Sequence, residues 1–116
     1  MISRLDLTSL RETVQRALDQ GRIGTPRFLR CIARADSPGE LGRALDDLVS
    51  LGEAWFGSPP VQRHMVGSDG GAYVSEMLKW PEGQGAIIAV TSAPTKGFPQ
   101  FDLMLVGSRG TLYHEM

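Results

Sequence analysis

A chain of 116 residues makes one domain, 1–116, able to bury about two thirds of its unfolded surface in a single modest core. Its 12 basic and 13 acidic residues leave a net charge of −1, which offers no cationic surface to a nucleic acid. A single cysteine, Cys31, excludes an internal disulfide and a cysteine-based metal site, and no apolar run reaches the length of a membrane span. The opening MISRLDLTSL lacks the apolar core and cleavage site of a signal peptide, so a cytoplasmic protein with no membrane partner is expected.

Residues 6–20 read as a first helix, with Leu7, Leu10, Val14, Ala17 and Leu18 on one face. Ser9 and Glu12 have capping-box spacing, and Gly21 supplies the C-cap. Gly24-Thr25-Pro26 predicts a turn, because the residue before proline is pushed out of helical space. Arg27 to Ala35 then reads as a strand with apolar groups on both faces.

Ser37 to Gly57 reads as one long amphipathic helix and the spine of the domain. Ser37 and Glu40 form the S-x-x-E of a capping box, and Pro38 stands at the first helical position. Leu41, Ala44, Leu45, Leu48, Leu51, Gly52 and Trp55 make an apolar stripe, and Gly57 with Pro59-Pro60 ends it. A helix of about 19 residues spans roughly 28 Å, enough to cover one face of a sheet.

Beyond Pro60 the period changes from 3.6 to 2. Val61–Val66 and Ala72–Trp80 read as strands joined by the turn Ser68-Asp69-Gly70-Gly71. Pro81-Glu82-Gly83 turns into Gln84–Ala93, whose AIIAV core predicts a central strand. A loop at 95–99 leads to Gln100–Val106, and Gly107-Ser108-Arg109-Gly110 turns the chain into Thr111–Met116. The fold class is α+β: an open antiparallel sheet of about six strands, mixed at most at one edge, with two helices packed on one face. Two helices leave the other face open, and strands 27–35, 86–93 and 101–106 carry apolar residues there. That face is the expected surface of a homodimer.

GRIGTPRFLR (21–30), the helix ending WFGSPP (55–60) and FDLMLVGSRGTLYHE (101–115) come in an order and spacing that resemble the C-terminal domain of the Gfo/Idh/MocA oxidoreductases. The resemblance spans about residues 6–115, and Phe101, Gly107, Gly110 and Leu112 match the family's closing hairpin. It implies an oxidoreductase-like domain whose dinucleotide-binding half and catalytic lysine lie outside this sequence. No G-x-G-x-x-G follows a strand, and Lys79 and Lys96, the two lysines, lack the E-K-P context. The family's G-G-x-x-x-D-x-x-x-H run on the long helix aligns its acid and base positions with Arg43 and Asp47, and neither preserves the histidine's role.

The expectation is therefore a non-catalytic, self-associating accessory or scaffold domain that is not an NAD(P)-dependent dehydrogenase on its own, with no catalytic residue, cofactor or metal. A separately encoded oxidoreductase subunit is its candidate partner. The alternatives are a small-molecule-binding protein or cofactor-independent enzyme that reuses the family's substrate face, and one half of a split NAD(P)-dependent oxidoreductase. Candidate ligand-binding residues are Arg30, which can grip an anion, with Arg43, Asp47 and His64. His64 and His114 have Glu76 and Glu115 as candidate neighbours, and Cys31 with His64 is the candidate nucleophile pair, although no spacing joins them.

Overall fold

A computed structural model describes residues 4–67, 72–92 and 101–115. Helix α1 (Arg4–Asp19) leads to β1 (Pro26–Arg34). A short 3₁₀ turn (Pro38–Glu40) runs into α2 (Leu41–Phe56), and five strands follow: β2 (Gln62–Gly67), β3 (Tyr73–Lys79), β4 (Gly85–Thr91), β5 (Phe101–Gly107) and β6 (Thr111–Glu115).

Local chemistry sets most element ends. At the end of α1 the Arg22 N–H donates to Ala17 O (3.1 Å) and the Gly21 N–H to Leu18 O (3.0 Å), with Gly21 at φ +71°. This is a Schellman closure, and glycine is the residue that takes it without strain. Gly57 closes α2 at φ +86° by the simpler left-handed cap, with a single bond from its N–H to Glu53 O. The N-terminal expectations need correction. Ser9 and Glu12 lie inside α1, where Ser9 O accepts from the Thr13 hydroxyl at 2.9 Å. The Ser37 side chain makes no cap hydrogen bond; the Glu40 N–H donates to the Ser37 carbonyl instead. Pro38-Gly39 therefore winds a tight 3₁₀ turn before α2, and the helix is 16 residues long.

The six strands form one sheet in the order β2-β3-β4-β1-β5-β6. Every pairing is antiparallel except β1 with β4, which is parallel. The expectation of a sheet mixed at most at an edge is thus corrected, since the parallel pair lies at the centre. β2, β3 and β4 do form a meander, but β1 then intervenes and the chain crosses it to place β5 on its far side. Early chain becomes the middle of the sheet because β1 is apolar on both faces and is best buried between two neighbours.

Period-2 alternation sorts the side chains. Leu29, Cys31 and Ala33 of β1, Ala86, Ile88 and Val90 of β4, and Phe101, Leu103 and Leu105 of β5 face the helices and are buried. Leu41, Leu45, Leu48, Leu51 and Trp55 of α2 and Leu7, Leu10 and Val14 of α1 pack on them in one core. The WFGSPP stretch is a socket for Trp80. The Trp80 ring meets Phe56 edge-on at 4.7 Å between centroids, and its indole N–H donates to Ser58 O at 2.6 Å. A Cβ at Gly52 would stand 3.1 Å from that ring.

The two glycine motifs at the start and end of the chain clasp each other. In the β5–β6 hairpin the Ser108 N–H donates to Thr25 O (2.9 Å) and the Arg109 N–H to Ile23 O (2.8 Å). The Thr25 N–H returns a bond to the Ser108 hydroxyl at 3.0 Å. A Cβ at Gly107 would stand 2.2 Å from Ile23 O, so only glycine allows the approach.

Candidate functional site

The face of the sheet away from the helices carries the unpartnered chemistry. Strand register arranges it in rows. His64, Met77, Ile87, Arg30, Met104 and Tyr113 run across one row, and Val66, Ser75, Ala89, Ile32, Asp102 and Glu115 across the next. Met77 and Tyr113 are each 56% exposed and Ile87 is 39% exposed, because no described element covers them.

The β1-β5-β6 half holds a polar cluster. Arg30 reaches Asp102 at 3.3 Å, and the Tyr113 hydroxyl lies 2.8 Å from Asp102 Oδ2 and 2.9 Å from Glu115 Oε2. Asp102 and Glu115 are direct cross-strand partners, so two like charges oppose each other unless something intervenes. The phenol carries one proton and donates to one carboxylate at a time. Its bonds to Asp102 and then Glu115 push the Tyr113 pKa up to about 12. The Arg30 Nε is buried with no hydrogen-bond partner among the described residues.

The β2-β3-β4 half holds a pit of about 530 Å³. Phe28, Met77 and Ile87 wall it, Gly85 leaves its floor low, and His64 and Lys79 stand on its rim.

The four candidate residues from the sequence divide between the two sides of the sheet. Arg30 and His64 share the open face, in the same row but three strands apart. Arg43 and Asp47 ride on α2 across the sheet, Arg43 exposed and Asp47 half-buried in a cleft with Arg11 and Ser50 of about 200 Å³. The structure does not bring the four together. Cys31 and His64 lie on opposite faces, and burial pushes the Cys31 thiol far above its ordinary pKa, so the two do not form a nucleophile pair. His114 faces the helices and tilts against Phe101 at 6.5 Å. Among the described residues no group of three or more His, Cys, Asp or Glu converges on a metal position, and no helix is long and apolar enough to cross a membrane.

Two pairings were not foreseen. Glu76 is 2% exposed beneath α2 and accepts from Arg63 Nε (2.5 Å) and a second guanidinium nitrogen (2.7 Å). Those bonds raise the Arg63 pKa against the opposing effect of burial. Asp102 is 8% exposed within an apolar strand. A signal existed for both: Glu76 falls in the apolar phase of YVSEMLK with Val74 and Leu78, and Asp102 interrupts the apolar run FDLMLV, and a carboxylate so placed asks for a partner.

Comparison with known proteins agrees with this architecture. No protein-family model and no curated protein matches the chain. Solved structures do match. A candidate myo-inositol dehydrogenase from Sinorhizobium meliloti 1021 has a TM-score of 0.71 at 23% identity, over 90% of this chain and 38% of that one. The UDP-N-acetylglucosamine 3-dehydrogenase of Acidithiobacillus ferrooxidans gives 0.71 at 18%, over 94% and 38%. The scyllo-inositol dehydrogenase of Lactobacillus casei, solved with NAD(H) and scyllo-inositol, gives 0.69 at 15%, over 90% and 38%. The chain thus spans less than two fifths of the length of these dehydrogenases. Its fold is that of a domain of Gfo/Idh/MocA-type dehydrogenases, as the sequence motifs implied.

Proposed function

We propose that this chain is a self-associating, non-catalytic domain of oxidoreductase type, which pairs two copies through the open faces of their sheets and serves as an accessory or scaffold for an oxidoreductase subunit. One observation carries the reading. Phe28, Ile32, Met77, Ile87, Met104 and Val106 lie on a single face that neither helix covers. A contiguous apolar sheet face of this kind is lowered in free energy by burial against a complementary surface, and a second copy offers the same surface under a two-fold axis. The Arg30, Asp102 and Tyr113 cluster would then lie within the interface, where directional bonds fix register more than they add affinity. Within this proposal the chain works in the cytoplasm, where a single buried thiol has no need of a disulfide partner.

Sedimentation equilibrium tests it. The expected mass at micromolar concentration is twice the 12.6 kDa of one chain. Ile87→Asp, which sets a charge in the middle of the apolar rows, should return the mass to that of one chain while the circular dichroism stays native. A single-copy mass for the unaltered protein would overturn the reading.

A further inference from the structure

The pit on the β2-β3-β4 half is distinct from the α2 surface to which the sequence resemblance directed attention, since the sheet separates the two. It exists because Gly85 stands where every neighbouring strand presents a side chain. Gly85 pairs with Lys79 on one side and Phe28 on the other, and Lys79 pairs in turn with Gln62. Missing one side chain, the row sinks between the Phe28 ring and the Lys79 stem. Met77 and Ile87, in the row above, close the long wall. The volume of about 530 Å³ is in the range of small-molecule sites, and apolar walls with a few polar rim groups are the usual lining.

Charge decides what fits. The side chains that β2, β3 and β4 present on this face are Gln62, His64, Val66, Tyr73, Ser75, Met77, Lys79, Ile87, Ala89 and Thr91, with no carboxylate among them. The buried Glu76 of β3 points to the helix side and is held by Arg63. Asp102 and Glu115 lie beyond β1, engaged with Arg30 and Tyr113. Among the described residues no carboxylate comes within ion-pair distance of Lys79. The rim is therefore cationic above an apolar hollow.

We propose that this pit binds an organic carboxylate, with its apolar body between Phe28, Met77 and Ile87 and its anionic end on Lys79 beside His64. The lysine acts as a point charge on a flexible stem, so it suits a monoanion of variable length better than a rigid, bidentate group. The apolar body supplies most of the affinity and the charge supplies selectivity over the neutral analogue. The site is complete in one chain, and because Phe28, Met77 and Ile87 also belong to the face proposed for pairing, the ligand and a second copy compete for it.

The test uses 4-phenylbutyrate as probe and 4-phenylbutanol as its neutral counterpart, with amide and methyl shifts of labelled protein as the readout. Saturable shifts are expected at Met77, Lys79, Gly85 and Ile87, with the alcohol at least tenfold weaker. Lys79→Gln should lower affinity for the acid about tenfold and leave the alcohol unchanged. Gly85→Leu should fill the pit and abolish both, with a cooperative unfolding curve to show that the strand still forms. Equal binding of acid and alcohol, unchanged affinity in Lys79→Gln, or no saturable shift overturns the proposal. Sedimentation of the same samples separates the two readings. At a dilution that separates the copies, absence of probe binding would remove the carboxylate site and leave self-association standing. Probe binding to a single-copy protein would do the reverse.

Discussion

Ile87 and Ile88 are neighbours in sequence and differ by one step of the pleat. Ile88 is fully buried under α2, whereas Ile87 is 39% exposed on the open face. The whole molecule repeats that contrast. One face of the sheet is covered from β3 to β5 by two helices and a continuous core, in which the buried Glu76 is paired with Arg63. The other face has apolar residues of similar size, and neither helix lies over them. Burial, rather than residue type, separates the part of this chain that holds the fold from the part that is free to meet something else.

The largest expected effect is on the sealed side. Ile88→Ala should cost about 2–5 kcal/mol in denaturant unfolding, through lost transfer energy plus the cavity left behind. Ile87→Ala, measured at a dilution that separates copies, should cost less than about 1 kcal/mol. Equal costs would mean that the open face is structurally indispensable to the single chain. Next comes the exception on the sealed side, the ion pair at the sheet margin. Arg63→Ala strands Glu76 at 2% exposure and should cost about 1–3 kcal/mol, below the cost for a fully buried pair because Arg63 is itself 43% exposed and water can reach its place. The double change Arg63→Met with Glu76→Leu should recover most of it, because apolar replacement removes the desolvation penalty. A double variant as unstable as the single one would show that the pair itself, and not the orphaned carboxylate, carries the stability.

The smallest effect belongs to the open face. The folded pKa of Tyr113 lies above its ordinary value, so the fold holds the phenolic proton more tightly than the unfolded chain does. Its contribution is whole below about pH 10 and is lost as pH rises to about 12. Tyr113→Phe should therefore lose less stability than the parent between these limits, in thermal melts at matched ionic strength. Parallel melting curves for the two proteins would place the Tyr113 bonds outside the stability of the fold.

Much of the architecture was legible in the residues because it rests on local rules. The apolar stripe Leu41, Leu45, Leu48, Leu51, Trp55 and the glycine stop at Gly57 gave α2 its faces and its end. Alternation in YVSEMLK set Val74 and Leu78 against Tyr73, Ser75, Met77 and Lys79, and the apolar run in GAIIAVT marked a central strand. The three glycine- and proline-rich motifs that pointed to the fold turn out to be its joints: GRIGTP docks on VGSRGTL, and WFGSPP holds Trp80. They mark places where backbones touch, which explains why they locate a fold without naming a chemistry. The turn 68–71, the loop 95–99 and Met116 lie outside the described residues, so the expectations placed on them stand where the sequence left them.

The candidate site was less legible. Arg30 and His64, singled out as candidate ligand-binding residues, both lie on the open face, but Asp102 and Tyr113 beside Arg30 and Lys79 and Phe28 beside His64 reach them from other strands. Arg43 and Asp47 were grouped with them through family position on a helix, and the sheet stands between the two sets.

What the sequence determined by itself is therefore whatever acts within a few residues: periodicity, glycine stops, the exposure each strand face asks for, and the near-neutral charge. Tertiary structure alone decided that β1 enters between β4 and β5, parallel to one and antiparallel to the other. It also decided that Glu115 opposes Asp102 and that Gly85 opens a pit between Phe28 and Lys79. Those outcomes depend on register between distant strands. A shift of one residue would invert every face, and the register is fixed only when the whole apolar side is buried at once.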